Sequence, residues 1–224
     1  MDNNLIHIVI LGILSIGFFV LVVWVYSTYQ RSLSIKYFSG FLLGLAILAG
    51  VSASILVEQS DASLLFVTRL GYYTGAITTV MFLMFSLYYP VPSQKIPQNN
   101  HLFWVLPLVF FLPYIFLNPY FVESVFIENG LPKENVGSLY FVLPLFVVTY
   151  FIISIRNLIV KLPFVAALRK QLKLVIGTII FAGGSSITLD VILPAFGVRF
   201  PHYIAQEIAI AIYGVTSYIV LKRN

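Results

Sequence analysis

The chain reads as an all-α integral membrane protein: a bundle of seven transmembrane helices, N-terminus outside and C-terminus in the cytoplasm. Three observations predict this. Of the 224 residues, 60% are hydrophobic and only 9% are charged, whereas a soluble domain carries about 25% charged residues. The hydrophobic residues gather into long runs, and a helical span needs about 20 of them. The few charges then sort by sign to opposite sides. A water-soluble globule is excluded because the charge cannot cover its surface. Disorder is excluded because it needs low hydrophobicity and high charge.

The spans are expected at 5–29, 37–57, 62–89, 102–118, 138–160, 174–197 and 203–221. The first is no cleavable signal peptide, since it lacks a basic start and far exceeds a 7–15-residue apolar core. The second and third carry the small-xxx-small patterns Gly40-Phe-Leu-Leu-Gly44 and Gly71-Tyr-Tyr-Thr-Gly75. Such patterns let membrane helices approach closely. They are expected to serve packing within the chain, with a homodimer face as the sharper alternative. The segment PVPSQKIPQNN (90–100) is an inner loop with three prolines. Pro107, Pro113, Pro144 and Pro194 are expected to kink helices. The longest outer connection, 119–137, is too short for a separate extracellular domain. VLPLVFF (105–111) and VLPLFVV (142–148) look alike, but in so biased an alphabet chance is the default. KLPFVAALRKQLK (161–173) is a basic inner connector suited to anionic head groups. Gly183-Gly184-Ser185-Ser186 marks a flexible or closely packed point in span six.

Charge sets the orientation. With the N-terminus outside, the inner side holds Arg31, Lys36, Lys95, Arg156, Lys161, Arg169, Lys170, Lys173, Lys222 and Arg223, ten of the 13 basic residues. All eight acids, Asp2, Glu58, Asp61, Glu123, Glu128, Glu134, Asp190 and Glu207, fall in the outer half. Lysine and arginine in short loops favour the cytoplasm, and an even number of spans would spoil the partition. The net charge of +5 is accounted for by those loops, so no nucleic-acid partner is implied. Trp24, Trp104, Tyr26, Tyr29, Tyr88, Tyr89, Tyr114 and Tyr120 fall near span ends, as an interfacial belt requires.

An ionisable group inside a span is expensive and therefore a functional candidate. Counted inward from the outer surface at 1.5 Å per residue, Arg69 lies about 12 Å deep, Asp190 about 10 Å and Glu207 about 7–8 Å. The three share a depth on spans three, six and seven. Arg69 is expected to pair with Asp190 or Glu207, either lining an outward-facing polar pocket or closing an ion-pair lock. Tyr72, Tyr73, Ser186 and His202 stand nearby in sequence to complete such a site, with Thr74, Ser185, Thr188 and a rim arginine, Arg199. No catalytic set is expected: the chain lacks a Gly-rich phosphate loop and a His-Glu-x-x-His motif. Without cysteine there is no disulfide, thiolate metal site or cysteine nucleophile. The three histidines are scattered, and no metal or other cofactor is expected. Span seven has no lysine to hold a retinal Schiff base.

Several stretches resemble the N-terminal seven-span sensor region of bacterial and archaeal histidine kinases. They are RSLSIKYFSGFLLGLAILAGVSASIL (31–56), RLGYYTGAITTVMFLMFSLYYP (69–90), FLPYIFLNPYFVESVFIENG (111–130), GSLYFVLPLFVVTYFIISIRNLIVKL (137–162) and RKQLKLVIGTIIFAGGSSITLDVILPAFG (169–197). The layout is similar too: an Arg opening the first inner loop, an Arg at the outer end of span three, a Pro closing that span. A basic-Gln-Leu start to span six and its Leu-Pro exit continue the likeness. The resemblance implies a sensory input module of the cytoplasmic membrane that shifts its helices on an outer-side signal, such as a hydrophobic or lipid-like ligand. Span seven would pass that shift to a cytoplasmic transmitter. Residues 1–224 read as one seven-helix domain with no phosphoacceptor box or ATP-binding domain. The transmitter is therefore expected on a C-terminal extension or a partner protein, and kinase transmitters of that family work as dimers. The alternative reading is a small-solute or lipid transporter with a polar site among spans three, six and seven.

Overall fold

The structure, a computed structural model, describes residues 2–29, 32–57, 60–91, 101–117, 119–128, 131–193, 207, 209 and 211–213. About 83% of the described residues are helical. In order, the elements are α1 (Asp2–Tyr29), α2 (Leu33–Val57), α3 (Asp61–Tyr88), α4 (His101–Leu117), β1 (Val122–Glu128), β2 (Leu131–Val136), α5 (Val142–Lys161) and α6 (Arg169–Ser186). Among the described residues, five helical segments are long and apolar enough to cross a membrane: Leu5–Thr28, Leu33–Val57, Asp61–Tyr88, Val142–Phe164 and Arg169–Leu189. α4, at 17 residues, covers the fourth expected span. The seventh expected span lies mostly outside the described residues, of which Glu207, Ala209 and 211–213 are helical.

The lipid-facing character is plainest in α1. Among its described side chains Leu11, Phe18 and Val25 are the buried ones, a seam with heptad spacing, while Ile13, Ile16, Phe19, Val20 and Val23 are exposed. Water would make so large an apolar surface untenable; acyl chains do not. α1 lies against α2, where Ser15 Oγ donates to Ala46 O at 2.8 Å.

α3 is the centre of the bundle, in contact with α2, α4, α5 and β1. Its start is set by Ser60, whose Oγ accepts from Ser63 N at 3.3 Å, and by Asp61 in the first turn, where the helix dipole favours an acid. It stops before Pro90, which disfavours helical backbone at the preceding residue. The small-residue patterns act within the chain. A Cβ added at Gly44 would overlap Thr78 Oγ1, one at Gly40 would stand 3.0 Å from Met81 Sδ, and one at Gly71 would stand 3.2 Å from Val51 Cγ1. All three touch the α2–α3 seam.

Two apolar cores flank α3. One joins α1, α2, α5 and α6 to α3, where Phe38 and Phe41 on α2 meet Phe85 and Phe82 on α3 as tilted rings. The other joins α3, α4, the strands and α5 around Phe121, Tyr140 and Leu143.

Three features depart from the expected layout. The 119–137 connection is not irregular: β1 and β2 form an antiparallel hairpin, with Glu128 opposite Leu131 and Val125 opposite Glu134. The all-α expectation therefore holds for the spans and needs this one addition. The register shifts between Val122 and Ser124, and this bulge changes the side-chain phase so that Val122 and Val125 are both buried. Second, α6 begins at Arg169, not at 174, so the basic residues Arg169, Lys170 and Lys173 stand on its first turns. Third, α6 runs unbroken through Gly183-Gly184, then widens into π-type winding over Ile187–Ile192. Gly183 serves close packing: a Cβ there would come within 2.5 Å of Phe151 and 2.6 Å of the Tyr213 hydroxyl.

At the end of the bundle opposite the hairpin, Lys161 joins α5 to α3. Its Nζ donates to Ser86 O and Leu87 O, each at 2.8 Å, and to Tyr89 O at 3.0 Å. These belong to the last turn and cap of α3, where carbonyls lack helical partners and carry partial negative charge.

Two outcomes test this packing. Gly44→Ala is expected to lower unfolding stability in detergent by about 1–3 kcal/mol, the usual cost of overpacking. Gly75→Ala, where a Cβ meets nothing within 4 Å, should stay within about 0.5 kcal/mol of the parent. Lys161→Met should cost about 3 kcal/mol, since it strips charged donors from buried carbonyls, and Lys161→Arg should recover part of the loss in the same thermal melt.

Candidate functional site

The expected site residues separate into two clusters at the hairpin end. In the first, α3 presents Arg69 and, three residues on, Tyr72. Three residues is close to one helical turn, so both lie along one face. Arg69 Nη2 donates to Val122 O at 2.6 Å, at the edge of the β1 bulge. Tyr72 donates to Glu134 Oε2 on β2 at 2.5 Å and accepts from the Tyr140 hydroxyl at 3.2 Å. Two adjacent turns of α3 thus hold both strands of the hairpin.

Aromatic rings fill the space beneath. Phe121 is fully buried. Its ring stands 5.4 Å from Tyr72, edge-on, 5.5 Å from Tyr140 and 5.7 Å from Tyr114. Tyr114 on α4 donates to Leu139 O at 2.5 Å, tying α4 to the same base. The hairpin is closed there by Gly137 N donating to Phe121 O at 2.9 Å and Leu139 N to Tyr120 O at 3.0 Å. A Cβ at Gly137 would overlap the Tyr120 carbonyl, so the close crossing requires glycine. Tyr73 faces the same core, half-buried.

In the second cluster, His7 Nδ1 on α1 donates to Glu207 Oε1 at 2.8 Å, with both side chains partly exposed. This bond joins the first helix to the seventh expected span. Glu207 therefore has His7 as its described partner, and Arg69 has the Val122 carbonyl. Asp190 falls in the π-type turn of α6, winding that is often found at functional sites. The side chains of Asp190 and Ser186, and all of His202, lie outside the described residues. Ser185, just before that turn, and Thr188, within it, return their hydroxyls to α6 carbonyls, Ser185 to Phe181 O and Thr188 to Gly184 O. Among the described residues, no group of three His, Asp or Glu side chains is arranged to hold a metal.

Glu134, Tyr140, Tyr114 and His7 were not among the expected site residues. The signal for His7 was present: it stands five residues past Asp2, the same count, about 7–8 Å, that selected Glu207. The signal for Glu134 was the hairpin itself, since Asn129-Gly130 after the Val125-Phe126-Ile127 stretch is a strong short-range hairpin cue. No known protein family, curated protein or solved structure matches the chain.

Tyr72→Phe should cost about 1.5–3 kcal/mol of stability in detergent, because it removes the donor to a carboxylate and the acceptor for Tyr140. Glu134→Gln keeps an acceptor oxygen and should cost less in the same unfolding assay.

Proposed function

We propose that this protein is a sensory input module of the cytoplasmic membrane. The hairpin end faces outward, and span seven delivers the output to a cytoplasmic transmitter. The reading rests on one observation above the rest: Arg69 and Tyr72 tie the hairpin to α3, the helix on which α2, α4 and α5 pack. A ligand or lipid that displaced the hairpin would act on α3 directly, and through it on most of the bundle. The His7–Glu207 bond gives span seven a polar hold on α1 at that same end. The charge partition supports the orientation, with all eight acids in the half of the sequence pattern read as outer. The resemblance to the sensor region of histidine kinases supports the output role. Neither role requires chemistry from this chain.

A second reading, a small-solute or lipid transporter, draws on the change of winding at Ile187–Ile192 around Asp190, since broken helices form transporter sites.

One experiment separates the two. The chain is fused after Asn224 to the transmitter of a histidine kinase of known output, and autophosphorylation is read in membrane vesicles. A sensor predicts that Arg69→Ala and Glu134→Gln each shift basal output about five-fold or more, the lower range of allosteric coupling. Output that ignores both substitutions, together with solute flux in liposomes abolished by Arg69→Ala, would establish the transporter instead.

A further inference from the structure

The chain carries no acid between Glu134 and Asp190, yet that interval holds five of its basic residues. One of them, Lys161, is buried against the end of α3. Another, Arg156, lies exposed on α5 along a stripe with Ile152, Ile159 and Val160. Positions spaced by four, seven and eight share one helical face, so this arginine stands within a lipid-facing surface. The five residues that remain to the end of α5, about 7–8 Å, are a reach that a long arginine covers by snorkelling.

The turn from α5 to α6 follows. Leu162–Phe164 forms a single 3-10 turn. Phe164 is 79% exposed, the highest value among the described large apolar side chains. Arg169, Lys170 and Lys173 then stand exposed on the first turns of α6. Arg169 Nε donates to Leu162 O at 3.3 Å, which folds it back over the turn beside Phe164. Among the described residues, Arg156, Lys170 and Lys173 have no hydrogen-bond or ion-pair partner. The first turn of α6 has no acid and no side-chain cap. Cations there oppose the helix dipole, so among the described residues the positive charge is left uncompensated.

We propose that the α5–α6 turn is a binding surface for anionic phospholipid, with Arg156, Arg169, Lys170 and Lys173 around the headgroup phosphate and Phe164 in the acyl region. The occupant follows from two features together. Four unneutralised cations call for an anion, and an aromatic ring as exposed as Phe164 beside them calls for an apolar phase at the same place. A phospholipid offers both at one height, and basic sites between helix ends are known to hold such headgroups. The proposal rests on the membrane reading alone and stands whether the protein senses or transports.

The test is lipid retention by the full-length protein in mild detergent, read by native mass spectrometry with phosphatidylglycerol against phosphatidylcholine. The parent chain should retain phosphatidylglycerol selectively. Each cation near an anionic surface contributes a factor of about five, so the combined Arg169→Gln, Lys170→Gln and Lys173→Gln variant should lose that preference at least ten-fold. Lys133→Gln, on the hairpin, should leave it unchanged. Phe164→Ala should weaken retention of both lipids. If the triple variant does not fold, salt raised from about 0.05 to 0.5 M on the parent chain should erode the selectivity by screening. Equal retention of the two lipids, selectivity indifferent to both salt and the variants, or displacement by millimolar inorganic phosphate without lipid would overturn the proposal.

Discussion

The ammonium of Lys161 sits where α3 runs out of helical partners for its carbonyls, and much of the bundle depends on that contact. Water would satisfy those carbonyls in a soluble protein. In an apolar medium an unsatisfied backbone group costs several kcal/mol, and so does a buried ammonium without a counter-charge. Each problem answers the other. Three carbonyls at 2.8–3.0 Å surround the charge, and the partial negative charge of the helix end takes the place of an acid. Asn157, one turn earlier on α5, adds a bond to Ser86 Oγ at 3.3 Å. The two helices are thereby locked in register along their length, and Tyr140, Val142 and Leu143 arrive beneath the hairpin at the other end.

The same constraint shapes that other end. A two-stranded hairpin is at best marginally stable alone. Here it is fastened by groups that would themselves be costly if left unpaired: a guanidinium about two turns deep, and a phenol beneath a carboxylate. Arg69 and Tyr72 supply what the hairpin lacks, and the hairpin supplies their acceptors. α3 is therefore polar-bonded at both ends and apolar between them, where Gly44 and Thr78 bring α2 into close contact. A helix held in this way transmits displacement more readily than it bends, since a close-packed interior yields little. This is the physical content of the proposed sensory role.

Depth along a span was enough to single out Arg69 and Glu207 as groups needing partners, and neighbourhood was enough to add Tyr72. Their partners were less legible. Arg69 bonds a backbone carbonyl, and every residue offers one, so no side chain in the sequence marks Val122. Tyr72 and Glu134 are 62 positions apart, and His7 and Glu207 are 200 apart. Such pairings depend on which helices are neighbours, and apolar spans say little about that because any lipid-compatible face can pack on another. The hairpin could have been read from Asn129-Gly130 and the flanking Val-Phe-Ile stretch, but its short strands are easily overlooked beside runs of twenty apolar residues. The start of α6 at Arg169 also eluded hydropathy, since a helix does not end where its charge begins.

By itself the sequence determined the solvent. With 60% hydrophobic residues and 9% charge, only a bilayer gives this chain a surface, and satisfaction of its backbone in that medium leaves helices as the form of the spans. It also determined which few side chains could not be left alone there. The tertiary structure decided what each of them meets: Lys161 the end of α3, Arg69 a strand carbonyl, Tyr72 the carboxylate of Glu134, Glu207 the ring of His7. Burial preference depends on composition summed over a span and survives any arrangement of helices. A hydrogen bond depends on two atoms within about 3 Å, and only the packed chain brings them there.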